Sequence, residues 1–247
     1  MSCSAATSKP TFVPLPWDSE QFGFPAARLD ALARETPEGI AALAACAKAQ
    51  GVRHLTARVS ANDLATIHAL EMNAFHLVDG IQTFELSLEH PIPPAAGRVR
   101  NFRDEDLEAL LAIARTAYVH DRFHVDSAIP TEIADRIHET WVRNSCSGLA
   151  ADAVIVAEHA DTREPAAYVT CKCADGIGTI VLVATAQSAR GLGLARAATF
   201  GALAYFKRRG CTHVHVGTQL RNVAAGRLYE SCGFRLRAVS LTYRKLL

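Results

Sequence analysis

No apolar run in this chain approaches the ~20 residues needed to cross a bilayer, so no membrane-spanning helix is expected in it. Neither sign of charge is in excess: 26 Lys and Arg stand against 25 Asp and Glu, a net charge of +1. That balance supplies no electrostatic footprint for nucleic acid or for an anionic membrane surface. No CxxC pair occurs, and the seven cysteines, Cys3, Cys46, Cys146, Cys171, Cys173, Cys211 and Cys232, are odd in number and scattered. Cys171-x-Cys173 has no His/Cys pair at ligand spacing beside it, so no metal is expected. Reduced, mostly buried thiols of a cytoplasmic protein are the expectation instead. Gly-Lys-Ser/Thr is also missing, which excludes a nucleoside-triphosphate P-loop.

What is present is ordinary for a soluble globular protein. The chain has 247 residues, 49% hydrophobic and 21% charged, enough for one large or two small domains with real cores. Residues 1–10 have no apolar core of the signal-peptide kind and are expected to form a frayed tail. Helices are expected at Ile40–Gln50 and Asp63–Asn73, with strands at His54–Val59 and Ile81–Leu88. The stretch Pro91-Ile92-Pro93-Pro94-Ala95-Ala96-Gly97 carries three prolines and a glycine and reads as a domain linker. Residues 1–95 and 96–247 are then two domains. In the second, strands are expected at 153–158, 166–173, 179–184, 213–217 and 234–243. Helices lie between them, the last two at 195–209 and 222–232.

The two halves repeat. A shift of 159 residues lays Gly51-Val52-Arg53-His54 on Gly210-Cys211-Thr212-His213, and Phe75-His76-Leu77 on Phe234-Arg235-Leu236. Leu64-Ala65 falls on Val223-Ala224, Glu71 on Glu230, and Thr83-Phe84 on Thr242-Tyr243. Keeping helix, strand, helix and strand in step over some 35 residues implies two copies of one fold in tandem.

The chain's most pointed local pattern is Arg190-Gly191-Leu192-Gly193-Leu194-Ala195. It follows the apolar, β-branched Gly178–Ala184 and precedes an Ala- and Leu-rich helix. Strand, glycine turn and helix together aim free N–H groups and a positive helix end at an anion. A dinucleotide fold would need this loop in the first βα unit with a third glycine, and Arg196 stands at that place. Two other readings are a pyrophosphate of coenzyme A, for which Q/R-x-x-G-x-G/A is the known pattern, and a plain tight turn. In the first copy, Arg190, Gly191 and Gly193 correspond to Ala31, Leu32 and Arg34, so only the second copy is expected to hold a phosphate.

The segment Asn222-Val223-Ala224-Ala225-Gly226-Arg227-Leu228-Tyr229-Glu230-Ser231-Cys232-Gly233-Phe234 resembles N-x-x-A-x-x-L-Y-E-x-x-G-F of the GNAT (GCN5-related) N-acetyltransferases. Together with the loop, which fits their Q/R-x-x-G-x-G/A pattern, the likeness covers roughly residues 98–247. It implies an α/β (α+β) fold of tandem GNAT-like mixed-sheet domains with a degenerate N-terminal copy. It implies acetyl-CoA as donor, with the pantetheine arm along Leu182, Val183, Ala184 and Thr185. The pyrophosphate would lie on the amides of Arg190, Gly191, Leu192, Gly193, Leu194 and Ala195. Asn222 would contact the cofactor or simply cap its helix. Tyr229, two turns on, would be the general acid for the departing thiolate; its counterpart in the first copy is Leu70. One departure stands out. The family's proline after the donor-side strand is missing from Thr185–Ala189. The general base is not assigned among Glu158, Asp175, Thr185 and His215.

Leu15-Pro16-Trp17-Asp18-Ser19-Glu20-Gln21-Phe22-Gly23 is similar to the W-D-S-x-F-F-G opening of the TDP-fucosamine acetyltransferases and their relatives. Arg122-Phe123-His124-x-Asp126 looks like their substrate-side segment. This likeness implies a small-molecule amine acceptor of the dTDP-amino sugar kind, with Arg122 and His124 on the diphosphate and Phe123 against a base or sugar. Another amine acceptor, or a CoA-binding module without chemistry, stays open at this point, as does assembly as a homodimer.

Overall fold

The computed structural model describes residues 11–118, 122–126 and 129–247, without the side chains of Arg122 and Asp135. The expected tail, residues 1–10, lies outside the described residues. The chain divides into two compact units. One takes the described residues through Ile81 together with Val239–Leu247, and the other takes Gln82–Ala238.

This division differs from the expected one at 91–97 in two ways. The proline-rich stretch lies within the second unit, where Leu88 N–H donates to the Thr212 carbonyl (2.8 Å) and Lys207 Nζ donates to the His90 carbonyl (3.0 Å) just before it. Proline density removes regular hydrogen bonding but says nothing about packing, and this stretch packs. The last nine residues also belong to the first unit, because a strand's pattern does not name the sheet it joins.

The first unit runs β1 (Thr11–Pro14), α1 (Pro16–Phe22), β2 (Ala26–Asp30), α2 (Pro37–Ala49), β3 (His54–Ser60), α3 (Leu64–Met72) and the start of β4 (His76–Ser87). β1 pairs antiparallel with β2, and β2 runs parallel to β3. Helix α1 carries the Trp-Asp-Ser motif. Pro16 occupies the helix's first turn, where a missing N–H costs nothing, and Gly23 ends it in the left-handed conformation at φ 75°. Ser19 ties it to β2: its hydroxyl donates to the Leu15 carbonyl (2.7 Å) and accepts from Ala26 N–H (2.9 Å). Thr36 caps α2 by accepting from Gly39 N–H at 3.1 Å. Ile40, Leu55 and Leu70 are wholly buried in this core, each contributing roughly 1.5–3 kcal/mol of burial free energy.

The second unit takes up β4 from Gln82 and continues through β5 (Val99–Asn101), α4 (Leu107–Ala117), α5 (Arg122–Val125), α6 (Thr131–Cys146), β6 (Ala153–Glu158) and β7 (Pro165–Ala174). Then come β8 (Ile177–Thr185), α7 (Leu194–Arg208), β9 (His213–Gln219), α8 (Val223–Ser231) and β10 (Arg235–Leu246). Its strand order is β4-β9-β8-β7-β6-β5, with β8 parallel to β9 and antiparallel to β7. Beyond Ala238, β10 lies antiparallel to β3 inside the first unit, Leu241 opposite Val59.

Helices cover both faces of the second unit's sheet. Ala198, Ala202, Leu203 and Phe206 of α7 pack on Val169, Val214 and Val216, while Leu110, Leu111 and Val142 of α4 and α6 pack on Val156 and Tyr168. Gly201 permits the close approach of α7, since a Cβ there would stand 2.5 Å from Val99 and 2.9 Å from Ile155. Cys171 and Cys211 lie in the α7 core, and burial pushes both thiols above their ordinary range. The repeat is visible in the element bounds, because β3, α3 and β4 reappear as β9, α8 and β10 with both ends displaced by 159 residues.

Candidate active site

The strand that leads to the glycine loop is irregular where irregularity is useful. Thr170 pairs with Leu182, but Cys171 pairs with Ile180, so Val181 is an extra residue, a bulge in β8. Leu182 N–H turns aside to the Thr170 hydroxyl at 3.0 Å. The bulge breaks the alternation of faces. Ile180 packs in the core under α7, whereas Leu182 and Ala184 pack on the α4 and α6 side. On its other edge β8 pairs with β9 only from Ile177 opposite His213 to Ile180 opposite Val216. From Val181 to Thr185 the β8 backbone has β7 on one side and, among the described residues, no ladder partner on the other. The four expected donor-strand residues, Leu182 to Thr185, all fall in this open stretch.

β8 is followed by a single tight turn, Gln187–Ala189, in the stretch that lacks the proline of the resembled pattern, and the turn is anchored by the buried Ala189. Arg190 follows in extended backbone, and Gly191 (φ 82°) and Gly193 (φ 76°) take the left-handed conformation. Gly193 is the N-cap of α7 and offers no side chain to it. The amides of Leu194, Ala195 and Arg196 therefore open the helix with no intrahelical acceptor, and Ala197 is the first to bond back, to the Gly193 carbonyl at 3.0 Å. No acidic residue stands in this first turn. A cleft of about 620 Å³ opens here, walled by Pro93, Pro94, Leu192 and Phe200, with Arg98, Arg163 and Arg196 around it. The proline-rich stretch thus forms one wall of the cleft.

Asn222 caps α8, its side-chain oxygen accepting from Ala225 N–H at 3.1 Å. Tyr229, 4% exposed, packs against Phe84 (5.7 Å between ring centroids) and Phe234 (5.9 Å). Its hydroxyl has no hydrogen-bond partner among the described residues and is not among the fully enclosed polar atoms. Burial raises its pKa well above the ordinary phenol value, so the group stays protonated across the neutral range.

Two phenols that sequence reasoning passed over stand close by. Tyr118, after the end of α4, meets Tyr168 of β7 hydroxyl to hydroxyl at 3.0 Å. Burial, then Tyr168 and Tyr229, push the Tyr118 pKa upward. The only sequence signal was aromatic and histidine density between Tyr118 and Trp141. Tyr118 stacks on His138 (4.3 Å, 12°), and His138 lies 6.0 Å from His124 and 6.2 Å from Phe123 between ring centroids. Phe123 is buried and His124 half-buried on α5; the Arg122 side chain lies outside the described residues.

The candidate bases separate. Glu158 accepts from Arg100 and pairs with Arg98 at 3.4 Å, and the Arg100 hydrogen bond holds its carboxyl below the usual range, which makes it a poor proton acceptor. Asp175 sits in the β7–β8 turn at φ 51°, at the end of β8 away from the loop. Thr185 is half-buried at the loop end of β8. The His215 ring lies 2.6 Å from Glu85, which also accepts from Arg237.

Comparison with known proteins places the chain in a family. A profile described as the acetyltransferase (GNAT) family matches residues 109–234. The chain belongs to this family. A mycothiol acetyltransferase from Thermobispora bispora is 32% identical over 164 residues, 64% of this chain and 54% of that protein. The spore coat polysaccharide biosynthesis protein SpsD of Bacillus subtilis is 33% identical over 133 residues, 52% of this chain and 44% of that protein. The GNAT chain described here thus spans about half the length of these relatives. Among solved structures, a GCN5-related N-acetyltransferase from Sphaerobacter thermophilus superposes with a TM-score of 0.69 at 16% identity, covering 95% of this chain and 76% of that one. A tandem GNAT protein from the clavulanic acid biosynthesis pathway gives 0.59 at 17% identity, covering 91% of this chain and 76% of that one. These likenesses agree with the expected α/β fold of tandem GNAT-like, mixed-sheet units.

Proposed function

We propose that the protein transfers the acetyl group of acetyl-CoA to the primary amine of a small molecule, and that the acceptor is an amino sugar carried on a nucleotide. The observation that carries the first part is the open edge of β8 from Val181 to Thr185, running directly into the free amides at the start of α7. An extended amide chain fits beside the open edge as an added strand would. A pyrophosphate fits the left-handed glycine turn and the positive end of the helix. Arg190 and the arginines of the neighbouring cleft add favourable charge.

Each residue has a definite task in this reading. Leu182 to Thr185 hold the donor arm with backbone groups, and Gly191 to Ala195 hold the diphosphate. The Tyr229 hydroxyl, protonated and without a partner among the described residues, delivers a proton to the thiolate as the amine attacks the thioester carbonyl. The C–S bond breaks, the C–N bond forms, and the amine's proton leaves to solvent or to a base. His124 and Phe123, on the element beside Tyr118, stand on the acceptor side. The amino-sugar assignment is supported by the Trp17-Asp18-Ser19 and Arg122-Phe123-His124 segments and by SpsD, a polysaccharide biosynthesis protein. The similarity to mycothiol acetyltransferases supports a second small-molecule amine as the alternative.

The test is incubation of the full chain with acetyl-CoA and a panel of amines, following release of free thiol and the mass gain of one acetyl group on the acceptor. The panel takes dTDP-4-amino-4,6-dideoxygalactose first, then amino sugars without nucleotide, amino acids and polyamines. Thiol release with the nucleotide sugar alone supports the full proposal. Release with another amine alone replaces the acceptor, and release with none overturns the enzymatic reading.

A further inference from the structure

The corresponding loops of the two units differ in course, with Ala31 left-handed where Arg190 is extended and Gly191 left-handed where Leu32 is not. They share one left-handed position, and around it the amides of the first unit are already filled. Arg34, displaced by 159 residues from Gly193, adopts the same left-handed conformation (φ 53° against 76°) although it is not glycine. Asp63 caps α3 where Asn222 caps α8, and Thr66 stands where Ala225 does. The bonding differs. One Asp63 oxygen accepts from Thr66 N–H (3.1 Å), as Asn222 accepts from Ala225. Its other oxygen reaches across and accepts from Arg34 N–H at 2.9 Å. Thr66 holds that oxygen by donating its hydroxyl at 2.6 Å and itself accepts from Glu35 N–H at 2.8 Å. Ala33 N–H is taken by the Glu35 carboxylate at 3.2 Å. Three successive loop amides of the first unit thus end on side-chain oxygens of the same unit, and among the described residues no such side chain reaches Gly193 or Leu194.

We infer that Asp63 is a built-in anion occupying in the first unit the place that a phosphate takes in the second. The full chain therefore binds one molecule of coenzyme A rather than two, and Asn222 and Ala225 are the residues that keep the second loop open. This inference rests on the coenzyme A reading above. Asn222 retains the capping oxygen without a charge, and Ala225 supplies no hydroxyl to hold a carboxylate against the loop. Exchanging them for Asp and Thr should close the second loop in the way the first is closed. Asp caps a helix about as well as Asn, so the capping of α8 has no reason to suffer.

The experiment is equilibrium titration of the full chain with coenzyme A, comparing wild type, Ala225→Thr and the double variant Asn222→Asp/Ala225→Thr. Wild type should bind one equivalent, and Ala225→Thr alone should stay within about threefold of it. The double variant should bind at least about tenfold more weakly, because a carboxylate faces the diphosphate at short range. The deficit should shrink as salt is raised. Thermal unfolding of the double variant should match wild type. Two equivalents in wild type, or equal affinity in the double variant, overturns the inference while leaving the coenzyme reading intact. No binding by wild type overturns both.

Discussion

Replacing Tyr229 by Phe isolates a single oxygen atom. The ring is 4% exposed, and its contacts with Phe84 and Phe234 are made by ring faces and edges that Phe reproduces. The hydroxyl has no bond to lose among the described residues, so no partner is orphaned by its removal. Stability should therefore change by less than about 0.5 kcal/mol, a shift in Tm of at most about 2 °C for a chain of this size. Catalysis should respond very differently. A general acid contributes at least about a hundredfold, or about 2.7 kcal/mol at 1.36 kcal/mol per tenfold. The assay is steady-state thiol release with the accepted amine, run beside coenzyme A titration and a melting curve. The expected result is kcat down at least about a hundredfold with coenzyme affinity and Tm unchanged. Undiminished kcat would refute the proton-donor role, and a parallel loss of Tm would mean that Tyr229 is needed only as packing.

Gly193→Glu should abolish coenzyme A binding by placing a carboxylate at the loop, and undiminished affinity by calorimetry would reduce the loop to a turn. Gly201→Ala should cost about 1–3 kcal/mol by overpacking, because its Cβ would meet Val99 at 2.5 Å; a Tm equal to or above wild type would contradict the close approach of α7. The acid limb of stability should depend on Asp106. Burial raises this carboxyl, but the paired hydrogen bonds from Arg100 (2.6 and 2.9 Å) and the Arg103 amide outweigh burial and hold it below the usual range. A depressed folded pKa gives stability that is present above the unfolded value near 4 and lost as pH falls through the folded value. Asp106→Asn should therefore melt lower than wild type at pH 7 and converge with it toward pH 3; parallel curves would be the contrary result.

The parts of this molecule legible in its sequence are those with a local chemical signature. Gly191 and Gly193 announce a left-handed turn because a side chain is strained there, and the 159-residue shift reproduces the bounds of three elements because the same periods recur. What was not legible has no residue code. Any residue can be the extra one in a bulge, so Val181 looks like a member of an ordinary strand. Helix α1 has seven residues, too few for its period to show. Arg34 takes a left-handed conformation unannounced, held by an Asp63 that lies 29 residues away. Tyr118 and Tyr168 are 50 residues apart, and only the fold brings their hydroxyls together.

The placement of Val239–Leu247 in the first unit reaches beyond geometry. The first unit to emerge during synthesis lacks a strand of its sheet until residues 239–247 have been made. The edge of β3 stays uncovered over that interval, a template for mispairing with other chains. Cutting the gene at the proline-rich stretch would make the condition permanent, giving one fragment with a bare edge and another with a dangling strand. Two halves produced separately should therefore aggregate, and when mixed they should recover by trading that strand. The two units, whatever each does, thus share one schedule of assembly.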